Sequence, residues 1–228
     1  MTAPLRTRRE ITIDALAIGA ATGAYGISFG ALAVTNGFDA WQAQALSLLM
    51  FTGASQFATV AILGAGGTAV AAVATALLLG LRTGLYSLSL ANLLSLRGWR
   101  RPAVAHLTID ESTAMAVASA DDPDRGRARY AFLATGLSVL VLWNLGTLIG
   151  ALGAGAIGDP RMFGLDAAAA AAFLALLWPR LGVREARVVA VVAALVTVIL
   201  IPLVSPGLPV LASALVAVVA GWWRRGEP

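Results

Sequence analysis

Eight apolar runs divide this sequence, at about 15–35, 41–64, 68–95, 103–120, 130–152, 163–180, 186–204 and 209–223, with arginine clusters between them. A helix needs about 20 residues to cross the hydrocarbon core of a bilayer. In lipid, a helix is the one open-ended element that satisfies all of its own backbone groups. The runs at 15–35, 68–95, 130–152 and 186–204 meet that length. The last run is short, but Trp222 and Trp223 at its end suit the headgroup layer. The expected fold is therefore all-α: a polytopic integral membrane protein with six to eight transmembrane segments, two of them broken or re-entrant. No linker or shift of composition divides the chain, so residues 1–228 read as a single membrane domain with a short cytoplasmic tail at 1–13. The first run follows "RTRRE" and contains Ala31-Leu32-Ala33, as a cleaved signal peptide would. It is too long and too glycine-rich for that role and is expected to remain as a span.

Charge is scarce and placed for orientation. Only 12% of the residues are charged, against about 25% in ordinary soluble domains. All sixteen basic residues are arginine and the net charge is +4. In a soluble protein that excess points to nucleic acid; at the ends of apolar runs it points to membrane orientation and to no nucleic-acid partner. If all eight runs cross, Arg97, Arg100, Arg101 and Arg161 lie outside and eleven arginines inside. If 41–64 and 103–120 each enter and leave on one side, fourteen lie inside and Arg161 alone outside. The positive-inside bias favours the second arrangement. Both put the N- and C-termini in the cytoplasm.

The two runs that resist crossing are also the most polar at their centres. In "LLMFTGASQFATVAIL", Thr52, Gly53, Ser55 and Gln56 interrupt the apolar sequence. Gly53 is placed to end one helix and start the next, with Gln56 at the third position reaching back to cap it. Broken helices at membrane depth are tolerated where they line a cavity or are buried in protein, and they aim helix N-termini at anionic groups. A kinked, well-packed span is the plainer alternative. In "AHLTIDESTAMAVASA", Thr108-x-x-Glu111 fits a capping box and predicts a helix over 108–120. At 1.5 Å per residue it is about 18 Å long, a half-helix. Asp110 and Glu111 are then either ligands or partners of the helix dipole.

Arg82 lies in the middle of "LLLGLRTGLYSLSLANLL". A guanidinium stays charged at any working pH, and at the centre of a membrane helix it costs roughly 2.5–3.5 kcal/mol on insertion scales. Thr75, Arg82, Tyr86 and Ser89 share one helical face, so the stripe is expected to face into the bundle. Its partners are Asp110, Glu111 or a substrate carboxylate, and a structural ion pair is the competing reading. Gly19, Gly23, Gly26 and Gly30 form a second stripe, repeated by Gly146 and Gly150, which predicts close helix packing rather than chemistry.

Enzyme chemistry finds no support. The chain has no cysteine and one histidine, His106, which excludes a thiol nucleophile and a histidine-built metal site. Phosphate-loop, dinucleotide, zinc-protease and serine-hydrolase motifs are absent. No enzyme activity, metal or cofactor is expected.

The motifs "FTGASQFA" (51–58), "LRTGLYSLSL" (81–90), "IDES" (109–112) and "FGLDAAAAAAFLALL" (163–177), in this order, resemble those of AzlC-type proteins. These are the large subunits of two-component branched-chain amino acid exporters, and the resemblance runs over roughly residues 11 to 223. The family often carries a polar residue two before the arginine and a histidine just after it, where this chain has Gly80 and Thr83. Arg82 and Tyr86 remain matched. The resemblance implies secondary export of leucine, isoleucine, valine and also methionine across the plasma membrane, with a small AzlD-like membrane subunit as partner. On this reading the substrate-binding or coupling residues are Arg82, Tyr86, Gly53, Ser55, Gln56, Asp110 and Glu111. A channel, or a structural membrane subunit without a transport cycle, is the alternative.

Overall fold

A computed structural model describes residues 6–94, 98, 100–120, 125–157, 174 and 177–224. Among these residues all regular structure is helical. Helix α1 (Arg8–Thr35) is followed by α2 (Ala40–Met50), α3 (Ala54–Gly64) and α4 (Ala69–Leu94). Then come α5 (Arg100–His106), α6 (Asp110–Val117), α7 (Arg125–Ile157), α8 (Arg184–Leu200) and α9 (Leu208–Arg224). By length and composition α1, α4 and the Gly126–Ala154 stretch of α7 can each cross a membrane. The apolar run at 163–180 lies outside the described residues except for residues 174 and 177–180.

Helices α1 and α7 form the spine. Gly19 lies against Ser138 and Leu142, Gly23 against Leu142, Gly26 against Trp143, and Gly30 against Thr147 and Ala151. Contacts that advance together along both chains mean that the two helices run parallel. The approach is close enough that a Cβ on Gly26 would stand 2.7 Å from the Trp143 carbonyl oxygen. The expected glycine stripe is thus a packing surface, and Gly146 and Gly150 complete it by meeting Gly23 and Ile27. Small residues let backbones touch where lipid offers no hydrophobic drive for association.

Both polar runs fold back on themselves. Helices α2 and α3 have 11 residues each, about 16 Å apiece. Gly64, at the end of α3, packs on the side chain of Asn36, which precedes α2. A straight continuation would separate those residues by some 30 Å, so the pair enters from the end where α1 stops and returns to it. Helix α4 then runs back along α3: the Ser55 hydroxyl donates to the Ala76 carbonyl at 3.0 Å, and Ile62 packs with Ala71 and Ala72.

The second hairpin enters from the opposite end. Arg101 on α5 borders a groove with Leu90 and Leu94 of α4, and Thr108 borders it with Ser87. Helix α6 descends again until Met115 packs on Ile11 and Ala131, near the starts of α1 and α7. The tips of the two hairpins meet where the His106 ring stands 5.6 Å from the Phe51 ring. Within the bundle, each of these two segments therefore begins and ends at the same end. Helices α8 and α9 pack on each other, and the described part of α8 has no buried residue.

The expected cap of the second hairpin is shifted by one residue. Helix α6 begins at Asp110, not Thr108, and ends at Val117. Ser112 reaches back in place of Glu111: its Oγ accepts from the Ile109 N–H at 3.0 Å and donates to the Leu107 carbonyl at 2.7 Å. Thr108 instead donates to the Val104 carbonyl at 3.4 Å. Glu111 does not make the reach back to the cap.

Candidate functional site

The first hairpin is held open by one buried side chain. Gln56 is fully buried; its Oε1 accepts from the Gly53 N–H at 2.9 Å, and its Nε2 donates to the Leu46 carbonyl at 3.0 Å. The expected reach of Gln56 back to Gly53 is present, and the same side chain also ties α3 to the last turns of α2. Gly53 has φ 58° and ψ −83°, a positive-φ conformation open to glycine at little cost. Phe51, with φ 32°, ends α2 on the other side of the break.

A cavity of about 70 Å³ lies between the hairpin tips and the spine. The first break lines it with Phe51, Thr52, Gly53 and Ala54; the second with Ile109, Asp110 and Glu111. Helix α4 contributes Arg82 and Thr83, α1 contributes Thr22 and Tyr25, and α7 contributes Val139 and Trp143. Arg82 lies near the middle of the 26-residue α4. Its Nη1 stands 2.6 Å from Asp110 Oδ2, with the two side chains 37% and 28% exposed. The arginine of the apolar run therefore has its countercharge on the second hairpin, and the short contact goes to Asp110 rather than to Glu111. Asp110 also sits in the first turn of α6, where the helix dipole favours a negative charge.

Tyr25, Phe51 and Trp143 give the cavity an aromatic lining, and Phe29 and Phe57 pack behind Tyr25 and Trp143. Tyr25 stacks on Phe57 at 5.0 Å and meets Trp143 edge-on at 5.6 Å. Phe29 packs on Phe57 and Trp143 at 5.2 and 6.0 Å. Such a cluster offers an apolar surface beside the charged pair, as an amphiphilic small molecule requires.

The structure brings Gly53, Arg82, Asp110 and Glu111 together around this space. Ser55 and Gln56 are buried in the support of the hairpin and do not line it. Tyr86 is half-buried one turn beyond Arg82, also outside the lining, and Ser89 faces outward and donates to the Leu85 carbonyl at 3.0 Å. Of the stripe on α4, Thr75 is buried and Arg82 and Tyr86 are half-buried, while Ser89 is exposed. Thr22, Tyr25 and Trp143 were not singled out in the sequence. The available signal was their place on the glycine-striped helices, Tyr25 between Gly23 and Gly26 and Trp143 three residues before Gly146.

Three long apolar helices, short apolar helices beside them and a charged cavity at their mid-depth define a multi-pass α-helical membrane protein. The chain belongs to the AzlC family: the family described as AzlC protein matches residues 17–157. That span runs from within α1 to the end of α7 and contains every residue that lines the cavity. The chain is 32% identical over 131 residues to an uncharacterized membrane protein of Helicobacter pylori (strain ATCC 700392 / 26695), covering 56% of this chain and 55% of the relative. Over the same length it is 31% identical to an uncharacterized membrane protein of the J99 strain, with the same coverage. The chain spans about half the length of the curated relatives it matches. No solved structure matches it.

Proposed function

We propose that this protein is the large subunit of a secondary transporter that exports branched-chain amino acids (leucine, isoleucine, valine, and also methionine) across the plasma membrane. Membership of the AzlC family supports a transport role, and the observation that carries the reading is the Arg82–Asp110 pair at the mouth of an aromatic cavity between two broken helices. Intramembrane charges of this kind mark substrate and ion pathways. Arg82 is the substrate carboxylate's cationic partner, taken in exchange for Asp110. Asp110, once released, and Glu111 receive the ammonium group or carry a coupling proton. Tyr25, Phe51 and Trp143, which line the cavity, face the aliphatic side chain. One methylene in such a pocket is worth roughly 1–3 kcal/mol, so leucine, isoleucine and valine are poorly distinguished. Tyr86, Ser55 and Gln56 act on this cycle through the position of α4 and of the first hairpin.

Hairpins that enter from opposite ends of the bundle suit alternating access, since each is able to open the shared cavity to its own side. The N- and C-termini are cytoplasmic on this reading. A small AzlD-like membrane subunit completes the transporter, and the protein alone is poorly active or unstable.

Counterflow tests the proposal. Vesicles loaded with unlabelled leucine and diluted into labelled leucine are expected to accumulate label transiently. A channel dissipates the leucine gradient without such exchange, and a structural subunit does neither. Full export by the purified single chain would argue against an obligatory partner.

A further inference from the structure

Two residues that line the cavity, Thr52 and Trp143, each carry a buried polar side-chain atom without a partner. Trp143 is 5% exposed, yet its Nε1–H finds no acceptor; the Thr52 hydroxyl is likewise buried and unpaired. Both residues line the cavity. An indole N–H only donates, so whatever completes Trp143 brings an acceptor. Orphaned donors of this kind are rare in native structures and costly when nothing answers them. Their neighbour is the N-terminus of the 11-residue α3, whose N-cap, Gly53, has no side chain to accept from the first-turn amides. By contrast, α1 and α2 are capped by Thr7 and Asp39, which accept from the amides of Glu10 and Gln42.

We propose that Trp143 Nε1, Thr52 Oγ1 and the open end of α3 form a carboxylate subsite of the cavity, one that takes an amino acid's carboxylate while Arg82 is still held by Asp110. This rests on the amino-acid reading of the cavity and adds what that reading lacks. In the arrangement observed, Arg82 is committed to Asp110, and a ligand arriving then needs other donors. The indole, the hydroxyl and the positive end of the helix dipole supply them. Trp143 is thereby a recognition residue as well as part of the aromatic lining.

The test uses the chain co-expressed and purified with its small membrane subunit, and three probes. Leucine carries both charged groups, isovalerate the carboxylate alone, and isoamylamine the ammonium alone. Binding is followed by calorimetry in wild type, Trp143→Phe and Thr52→Val. Phenylalanine keeps an aromatic ring and loses the donor; valine keeps the branched shape and loses the hydroxyl. A lost hydrogen bond to a charged group lowers affinity roughly tenfold to a hundredfold. Each variant is expected to weaken leucine and isovalerate by about tenfold or more and to leave isoamylamine unchanged. Thr52→Val carries the test by itself if Trp143→Phe fails to fold. Equal weakening of all three probes, or no change for leucine and isovalerate, overturns the subsite and leaves the amino-acid reading standing. Binding of isovalerate without leucine, lost in the variants, supports the subsite and overturns the amino-acid reading. Failure of wild type to bind leucine and isovalerate alike overturns both.

Discussion

Asp110 on α6 and Arg82 on α4 approach to 2.6 Å between Oδ2 and Nη1, joining the second hairpin to the middle of a spanning helix. Breaking a fully buried pair by removing one partner costs about 3–5 kcal/mol. Both side chains here are partly open to the cavity, so the loss for Arg82→Leu is expected to be smaller, though still measurable as a lower melting temperature. Asp110→Asn added to Arg82→Leu is expected to restore folding without restoring transport. Unchanged stability in Arg82→Leu would mean that the pair contributes nothing to the fold.

Arg82→Lys separates charge from shape. It keeps the cation and loses the planar fork that matches a carboxylate. Leucine transport is expected to fall sharply while the amount of folded protein stays near that of wild type. Transport at the wild-type level would remove Arg82 from substrate recognition.

Gln56 holds the first hairpin through two bonds, from the Gly53 amide and to the Leu46 carbonyl. Gln56→Leu leaves both of those main-chain groups without their side-chain partner, at about 1–3 kcal/mol each where they remain buried. The protein is expected to lose most of its thermal stability. A milder loss is expected for Gly53→Ala, about 1–3 kcal/mol, because the added methyl meets nothing within 4 Å and only the φ of 58° opposes it. Melting curves of the two variants in detergent check the order.

Much of this site was legible because its signals are local. A glycine with a glutamine three residues on marks a break and its cap at Gly53 and Gln56, and one arginine in an apolar run names its own difficulty. The cap of the second hairpin lies one residue beyond the one its sequence pattern suggests, for the same reason. Thr108-x-x-Glu111 and the actual reach of Ser112 to Ile109 look alike in one dimension, and the choice is made by the turn that brings the Leu107 carbonyl to Ser112. The unpaired state of the Trp143 indole was not legible: its place beside Gly146 hints at the packing, but an indole without a partner is a property of α1, α3 and α7 packed together. Nor could periodicity show that the α4 stripe leaves Ser89 exposed, since a helical face says which residues align and not where the neighbouring helices stop.

The glycine stripes give a contrast within one protein. A Cβ on Gly150 would collide with the Ile27 carbonyl, whereas one on Gly84 would meet nothing within 4 Å. Gly150→Ala is expected to destabilise by about 1–3 kcal/mol or more as α1 and α7 are forced apart. Gly84→Ala is expected to be neutral or slightly stabilising, as alanine is the better helix former. Similar losses at the two positions would deny the close spine.

The account's central claim is that two hairpins enter from opposite faces and meet at Arg82. The chain contains no cysteine, so single cysteines report their own sidedness. With a cytoplasmic N-terminus, cysteines at Gly37 and Gly66 flank the first hairpin, and cysteines at Arg101 and Ala120 flank the second. An impermeant thiol reagent added to intact cells is expected to label positions 37 and 66 and to spare 101 and 120, which react only after the cells are opened. Labelling of position 101 from outside would contradict the account, because the second hairpin would then cross the membrane instead of turning back at the cavity.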